Sequence, residues 1–383
     1  MNLNKDVSNR IAVLRPILIF GVVFVHVQGL TDLMSQVGSG VFANFAAFFK
    51  NGVFRGTVPT LALVSGFLLF SANLDQAPIK MWRKKFRTLV IPFLFFNLAT
   101  IALWSSMQSL FGLVFFRDVT QATPAQWVNM ITAATDYPIN GPLYFVRDMI
   151  VTIVLAPLLG VLLRHCAWTG LAAMILIFGT DQDGHLIMRG TSLILFYIGG
   201  MAAVKGWNLL ILDKYAKQCL IAFVLLCVGL RVFAIDNRVL LVMSAPFLLW
   251  PSMALVRNTR VEAWAMNYTK YSFFVFAAHM PFIEMGWWFV LNHARFVPYP
   301  IYWFLAPLTV IAGLVMLHDF AMRHFPVPFN VVLGARAARK SHFVERRKAA
   351  RPAGAPVYSQ DERRKLLDSV FAHPYPQQPE MQA

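Results

Sequence analysis

Predominantly apolar runs, most of them near bilayer-crossing length, recur along this 383-residue chain, and no single water-soluble core could bury them all. Ten spans can be drawn: Ile11 to Gly29, Val53 to Ala72, Thr88 to Met107, Leu143 to Leu163, Trp168 to Thr180, Gly190 to Val204, Cys219 to Ile235, Arg238 to Val256, Tyr271 to Leu291 and Pro300 to Phe320. The fifth and sixth are short, and Ala43 to Phe49 is a candidate interfacial or re-entrant piece. Hydrophobic residues make up 58% of the chain against 14% charged, with ten Trp and ten Tyr suited to headgroup level. The expectation is an all-α, polytopic integral membrane helix bundle of about ten spans.

The charges suggest how such a bundle would sit. With the N-terminus inside, 14 Lys and Arg fall in segments assigned to the cytoplasm before the tail is counted, and 6 on the opposite side. Positive-inside sorting therefore favours both termini in the cytoplasm of a cell inner membrane. The formal net charge of +16 follows the same distribution, clustering beside apolar runs and in the tail. This pattern fits topology and anionic lipid rather than nucleic acid. Cys166, Cys219 and Cys227 form an odd set without metal-ligand spacing, so neither a disulfide framework nor a metal site is expected. Lys5 and Arg10 precede the first apolar run as in a signal peptide, but Arg15 interrupts that run and no small-x-small cleavage site follows closely, so a retained signal anchor is expected.

Two parts follow: a transmembrane domain over 1–325, and a basic, Pro-containing, disordered cytoplasmic tail over 326–383 with one short helix around Asp361 to Phe371. No repeat with a period of 20 to 50 residues is evident, and neither is inverted-repeat symmetry. The longest external connection, Gln108 to Pro142, is placed to cover an outward-facing site in part.

Ionisable groups at membrane depth are costly and usually functional. Arg15 and His26 lie 11 positions apart in the first span, on nearly one helical face and about 16 Å apart along the axis. The plainer readings are a snorkelling arginine and an interfacial histidine. Arg147 and Asp148 open the fourth span at a depth similar to His26; Asp148 serves another helix, either in a structural ion pair or by orienting an imidazole. His279 falls near the middle of the ninth span, two residues before Pro281, which frees a carbonyl, while Glu284 lies too far round the helix to partner it. Ser65 beside Gly66 reads more simply as close helix packing than as a nucleophile. The inner loop Arg83-Lys84-Lys85-Phe86-Arg87 satisfies positive-inside sorting and would also suit a phosphate-rich cytosolic ligand. Acyl transfer from a cytosolic thioester to an outward-facing hydroxyl would use all these features, and so would a proton-coupled transporter.

The chain resembles the acyltransferase-3 family of polytopic membrane acyltransferases. The resemblance rests on Arg15-x10-His26, Val58-Pro59 leading to Ser65-Gly66-Phe67-Leu68-Leu69, the basic cluster running into Leu89-Val90-Ile91-Pro92, Gly141-Pro142-Leu143-Tyr144-Phe145, and Ala278-His279-Met280-Pro281. These motifs follow in order over about the first 320 residues. The resemblance implies an acyl-CoA co-substrate, most often acetyl-CoA, taken from the cytoplasm, no permanently bound cofactor, and a glycan hydroxyl as periplasmic acceptor. It also implies His26 as base, Arg15 as a cation meeting the donor, and Arg83 to Arg87 as the basic cytoplasmic segment. Tyr144 stands where many members carry Trp, and Arg147-Asp148 replaces the usual acidic pattern. His26, Asp148 and His279 are thus the catalytic candidates; Arg15, Ser65, Arg83, Lys84, Lys85, Arg87, Tyr144 and Arg147 are the donor and substrate candidates. Expected partners are the lipid bilayer, acyl-CoA, a glycan and polysaccharide synthesis or export proteins. The competing readings are a transporter or flippase, and a non-catalytic membrane subunit of a polysaccharide-export machine.

Overall fold

The computed structural model describes residues 4–27, 40–113, 118–180, 182–233 and 238–334. Within these residues every regular element is helical. The helices are α1 (Lys5–Val25), α2 (Val41–Ala47), α3 (Thr57–Ser71), α4 (Pro78–Lys85), α5 (Ile91–Phe111), α6 (Pro124–Thr132), α7 (Tyr144–His165) and α8 (Ala167–Gly179). They continue with α9 (Gly190–Val204), α10 (Ala216–Val232), α11 (Arg238–Ser252), α12 (Arg260–Tyr268), α13 (Ser272–His293), α14 (Tyr299–His324) and α15 (Pro326–Val332). Residues 335–383, including the short helix expected around Asp361 to Phe371, lie outside the described residues.

Eight helical runs among the described residues are long and apolar enough to cross a membrane. The fifth and sixth expected spans are α8 and α9, of 13 and 15 residues. At 1.5 Å per residue they rise only about 20 and 22 Å, less than the ~30 Å hydrocarbon core. The long helices bury one side and leave Val154, Leu158 and Val161 of α7 and Phe304, Leu305 and Leu308 of α14 exposed, a surface that lipid, not water, can cover.

Two stretches read as separate are continuous helix. Ala43 to Phe49 is no detached piece: α2 passes through a π turn at Phe48–Gly52 and a 3-10 turn at Val53–Gly56 directly into α3. The basic cluster is likewise not a loop, because Arg83, Lys84 and Lys85 end α4 and Arg87 lies in a second π turn, Phe86–Val90, that runs into α5. Pro78 sits in the first turn of α4, where its missing N–H costs nothing, and the Lys and Arg that follow are good helix formers.

The tightest helix contact joins α3 to α9. A Cβ on Gly66 would fall 1.9 Å from the Phe196 carbonyl oxygen, and one on Gly199 would fall 2.0 Å from that of Leu63, so each helix presses a glycine against the other's backbone. Ser65 beside this seam donates its hydroxyl to Leu61 of its own helix at 2.7 Å. Gly66→Val or Gly199→Val must separate the helices and should cost at least about 2 kcal/mol, read as a lowered unfolding temperature of the detergent-solubilised protein; Ser65→Ala should lie within about 0.5 kcal/mol of the parent.

Candidate functional site

The two histidines meet where α1 ends. His26 is the C-terminal cap of α1, its N–H hydrogen-bonded to Val23 O at 3.2 Å, so its side chain leaves the helix where the helix stops. His279, fully buried on α13, faces it with ring centroids 5.3 Å apart. The His279 Nδ1 lies 2.9 Å from Phe276 O and 3.1 Å from Val275 O, and since a carbonyl only accepts, Nδ1 carries the proton. Nε2 is then the lone-pair nitrogen; it is buried and has no hydrogen-bond partner among the described residues.

Pro281 contributes through what it lacks. Without an N–H it cannot bond the carbonyl four residues back, that of Ala277, and Asn140 Nδ2 takes that oxygen instead at 2.9 Å. Asn140 also donates to Thr100 Oγ1 at 3.3 Å and its backbone N–H donates to Asn97 Oδ1 at 3.3 Å. The far end of the Gln108 to Pro142 connection is thereby fastened to α13 two residues from His279. Earlier in that connection, α6 opens with a reciprocal capping box between Thr123 and Gln126.

Asp148 serves backbone rather than an imidazole. Its fully buried carboxylate accepts from Met188 N at 2.9 Å and Arg189 N at 3.0 Å, with Arg147 Nη1 at 3.3 Å. Arg147 also donates to Ala133 O at 3.1 Å and to Leu186 O. Together the pair pins the segment leading into α9 and orients Arg189, whose guanidinium lies over the Tyr137 ring at 5.8 Å. Tyr144 packs edge-on to Tyr137 at 5.7 Å, within reach of the charges of Arg189 and Arg55.

Two cations beside His26 were read from sequence only as topology charges. Lys50, in the first π turn, donates to Val27 O at 2.9 Å just past the end of α1, and Arg55 follows in the 3-10 turn. Both lie close enough to His26 for their charges to act on it. The available signal was two cations within a mainly apolar run, spaced by Gly52 and Gly56.

At the other end of the bundle four carboxylates meet cations. Arg10 meets Asp213 at 2.5 and 2.7 Å and stacks over Trp250 at 5.2 Å; Arg164 meets Asp75 at 2.6 Å; Arg257 meets Asp6 at 3.3 Å. Lys270 lies 3.6 Å from Asp319, and its ammonium is held above its ordinary range chiefly by a hydrogen bond to Tyr271. Arg15 is exposed and makes no hydrogen bond or ion pair among the described residues. Next to it, Pro16, Phe20, Trp264, Tyr268 and Tyr271 border a narrow apolar groove between α1 and α12 to α14. Arg83, Lys84 and Arg87 are exposed on their helical run and Lys85 is half-buried. Asp148→Ala would strand two amides, at about 1–3 kcal/mol each if they stay dry; the expected result is a lower unfolding temperature with faster amide exchange at Met188 and Arg189, while α3 and α13 keep their protection.

The family model for the acyltransferase domain of acyltransferase-3 proteins matches residues 9–319. The succinoglycan biosynthesis protein ExoH of Rhizobium meliloti (strain 1021) is 30% identical over 360 residues, covering 88% of this chain and 95% of that protein. No solved structure matches the chain. The matched region holds both histidines, Arg15, six of the eight long apolar runs in full and most of the first and last. The chain belongs to the acyltransferase-3 family and is a multi-pass membrane acyltransferase.

Proposed function

We propose that this enzyme transfers an acyl group, most simply acetyl, from cytosolic acyl-CoA to a hydroxyl of an exopolysaccharide or its lipid-linked precursor. In this reading it sits in the inner membrane with its N-terminus and tail in the cytoplasm. The exopolysaccharide acceptor is taken from the ExoH relationship and the orientation from the positive-inside count. The single observation that carries the chemistry is the pairing of half-buried His26 with buried His279, ring centroids 5.3 Å apart, in which backbone carbonyls set the tautomer of His279.

In the proposed reaction His26 removes the proton from the acceptor hydroxyl as its oxygen attacks the thioester carbonyl. His279 Nε2 stabilises the resulting imidazolium by accepting its other N–H, the part a carboxylate takes in a serine-hydrolase triad. The Lys50 charge is placed to balance the oxyanion that forms. Collapse breaks the carbon–sulfur bond, the ester remains on the glycan, and the proton passes from His26 to the leaving thiolate.

Arg15 and the exposed Arg83, Lys84 and Arg87 supply cations for the CoA phosphates. The roughly 16 Å between Arg15 and His26 along α1 is a length the pantetheine arm can span, with the aromatic-lined groove beside it. Asp148, Tyr144 and Arg147 act in this reading as positioning residues for the Arg189 segment, and Ser65 has no chemical part.

Protein reconstituted in nanodiscs with radiolabelled acetyl-CoA and exopolysaccharide oligomers should form labelled glycan. His26→Ala should lower turnover by at least about 100-fold. His279→Ala should lower kcat about 10-fold or more with little change in KM for either substrate. Undiminished transfer by His26→Ala would sink the assigned base, and glycan movement across proteoliposomes without acylation would favour a flippase. A second measurement addresses the donor: Arg15→Gln should raise KM for acyl-CoA about tenfold while leaving KM for the glycan near the parent value, and a lowered kcat alone would place Arg15 elsewhere in the reaction.

A further inference from the structure

Glu284, half-buried on α13, makes no hydrogen bond and no ion pair among the described residues. Every other Asp and Glu there meets a cation, a hydroxyl or a backbone amide. An unpartnered acidic group within a membrane-spanning helix is costly and marks a functional site. Helix geometry turns this one inward: it lies about 160° round α13 from Phe282 and about 140° from Phe289, the nearest exposed apolar side chains along the helix. Two neighbours fix the direction further. Trp287 packs against the cluster that holds Phe24 and Val27, the residues flanking His26, with its ring centroid 5.1 Å from that of Tyr302. Met285 packs against the cluster of Trp104, Met130 and Ile139, which joins α5 to the Gln108 to Pro142 connection. Trp287 and Met285 lie about 60° and 100° to either side of Glu284, so its carboxylate emerges between the end of α1 and that connection. Half-buried Trp288, about 40° away, shares the same sector. Thr269, just before α13, bonds Ala12 O at 2.9 Å near the start of α1, so the two helices run in the same direction and Glu284 lies about 7.5 Å beyond His279 along the axis.

A carboxylate offers two oxygens that accept hydrogen bonds, and bonds from a hydroxyl to it are stronger than those between neutral groups. A sugar supplies the matching chemistry, with neighbouring hydroxyls as donors and an apolar face suited to an indole. We propose that Glu284 binds the acceptor: its carboxylate takes hydrogen bonds from two neighbouring hydroxyls of a sugar that reaches His26, with Trp288 against the sugar's apolar face. The acceptor then enters between the end of α1 and the Gln108 to Pro142 connection, and α13 carries both the residue that holds the sugar and the imidazole that faces His26. The substrate class is a glycan whose unit at this site keeps at least two adjacent free hydroxyls besides the one that is acylated. That the bound sugar is an acyl acceptor rests on the acyltransfer reading above; sugar binding at Glu284 does not.

Binding is tested first, without acyl donor, by titration calorimetry on the full chain in nanodiscs. The probe is a set of oligosaccharides from the exopolysaccharide of the organism that carries this chain, saponified to free their hydroxyls. Glu284→Gln, which keeps the size of the side chain, should weaken their binding about tenfold or more. The same oligosaccharides with every hydroxyl methylated cannot donate, and should bind parent and Glu284→Gln alike. The variant should keep at least the parent's unfolding temperature, since a desolvated charge has been removed, which guards against misfolding. In transfer assays Glu284→Gln should raise KM for the oligosaccharide about tenfold while leaving KM for acyl-CoA near the parent value. No saturable binding by the parent, equal binding of the free oligosaccharide by parent and Glu284→Gln, or an equal loss for the methylated probe overturns the proposal. Glu284-dependent binding without any acyl transfer by the parent sinks the acyltransfer reading and leaves the sugar site standing. Transfer by the parent with an unchanged glycan KM in Glu284→Gln does the reverse.

Discussion

The hydrogen bonds from His279 Nδ1 to the Phe276 and Val275 carbonyls fix the chemical identity of the centre. An imidazole in a membrane bundle has two tautomers, and here the choice between them is made by a helix backbone rather than by a carboxylate. Pro281 and Asn140 hold that stretch of backbone in place, the first by leaving the Ala277 carbonyl without its helical partner and the second by taking it up. Once α13 is held there, the His279 ring lies beside that of His26, the residue that caps α1.

Charge is distributed unevenly along the bundle. At the end where α1 begins, Asp6, Asp75, Asp213 and Asp319 each meet a cation, which lets helices close against one another without stranding charge. Arg15 lies at the same end and makes no ion pair among the described residues. At the end where α1 stops, Asp148 is occupied by two amides and by Arg147, and Arg55 and Arg189 form no ion pair with a carboxylate among the described residues.

Much of this was legible in the chain because membrane constraints are simple. The all-helical bundle follows from apolar runs whose backbone must satisfy itself, and Arg15, His26 and His279 stood out as ionisable groups in apolar surroundings. The freed carbonyl before Pro281 was also readable, although the Asn140 that takes it was not, since 137 residues separate Asn140 from Ala277. The fifth and sixth runs already read as short, and they are α8 and α9, of 13 and 15 residues. The basic cluster looked like a loop because its charge masked good helix formers. Asp148 has hydrogen-bond partners 40 and 41 residues away on backbone amides, which carry no side-chain signature. Lys50 and Arg55 were counted for their sign alone, because nothing local says that the turn bearing them folds back over the end of α1.

The π turn at Phe48–Gly52 has a mechanical consequence. One extra residue in a turn rotates everything before it by roughly 100° relative to everything after it, without bending the chain out of the helical path. The helical run from α2 to α3 is thereby divided into two faces that can be set independently: beyond the turn Gly66 must meet α9, and within it Lys50 must meet the end of α1. A regular helix would couple those two registers, so that a change improving one contact would misalign the other. The turn separates them, so that the Lys50 contact with the end of α1 and the glycine seam with α9 are each set in their own register.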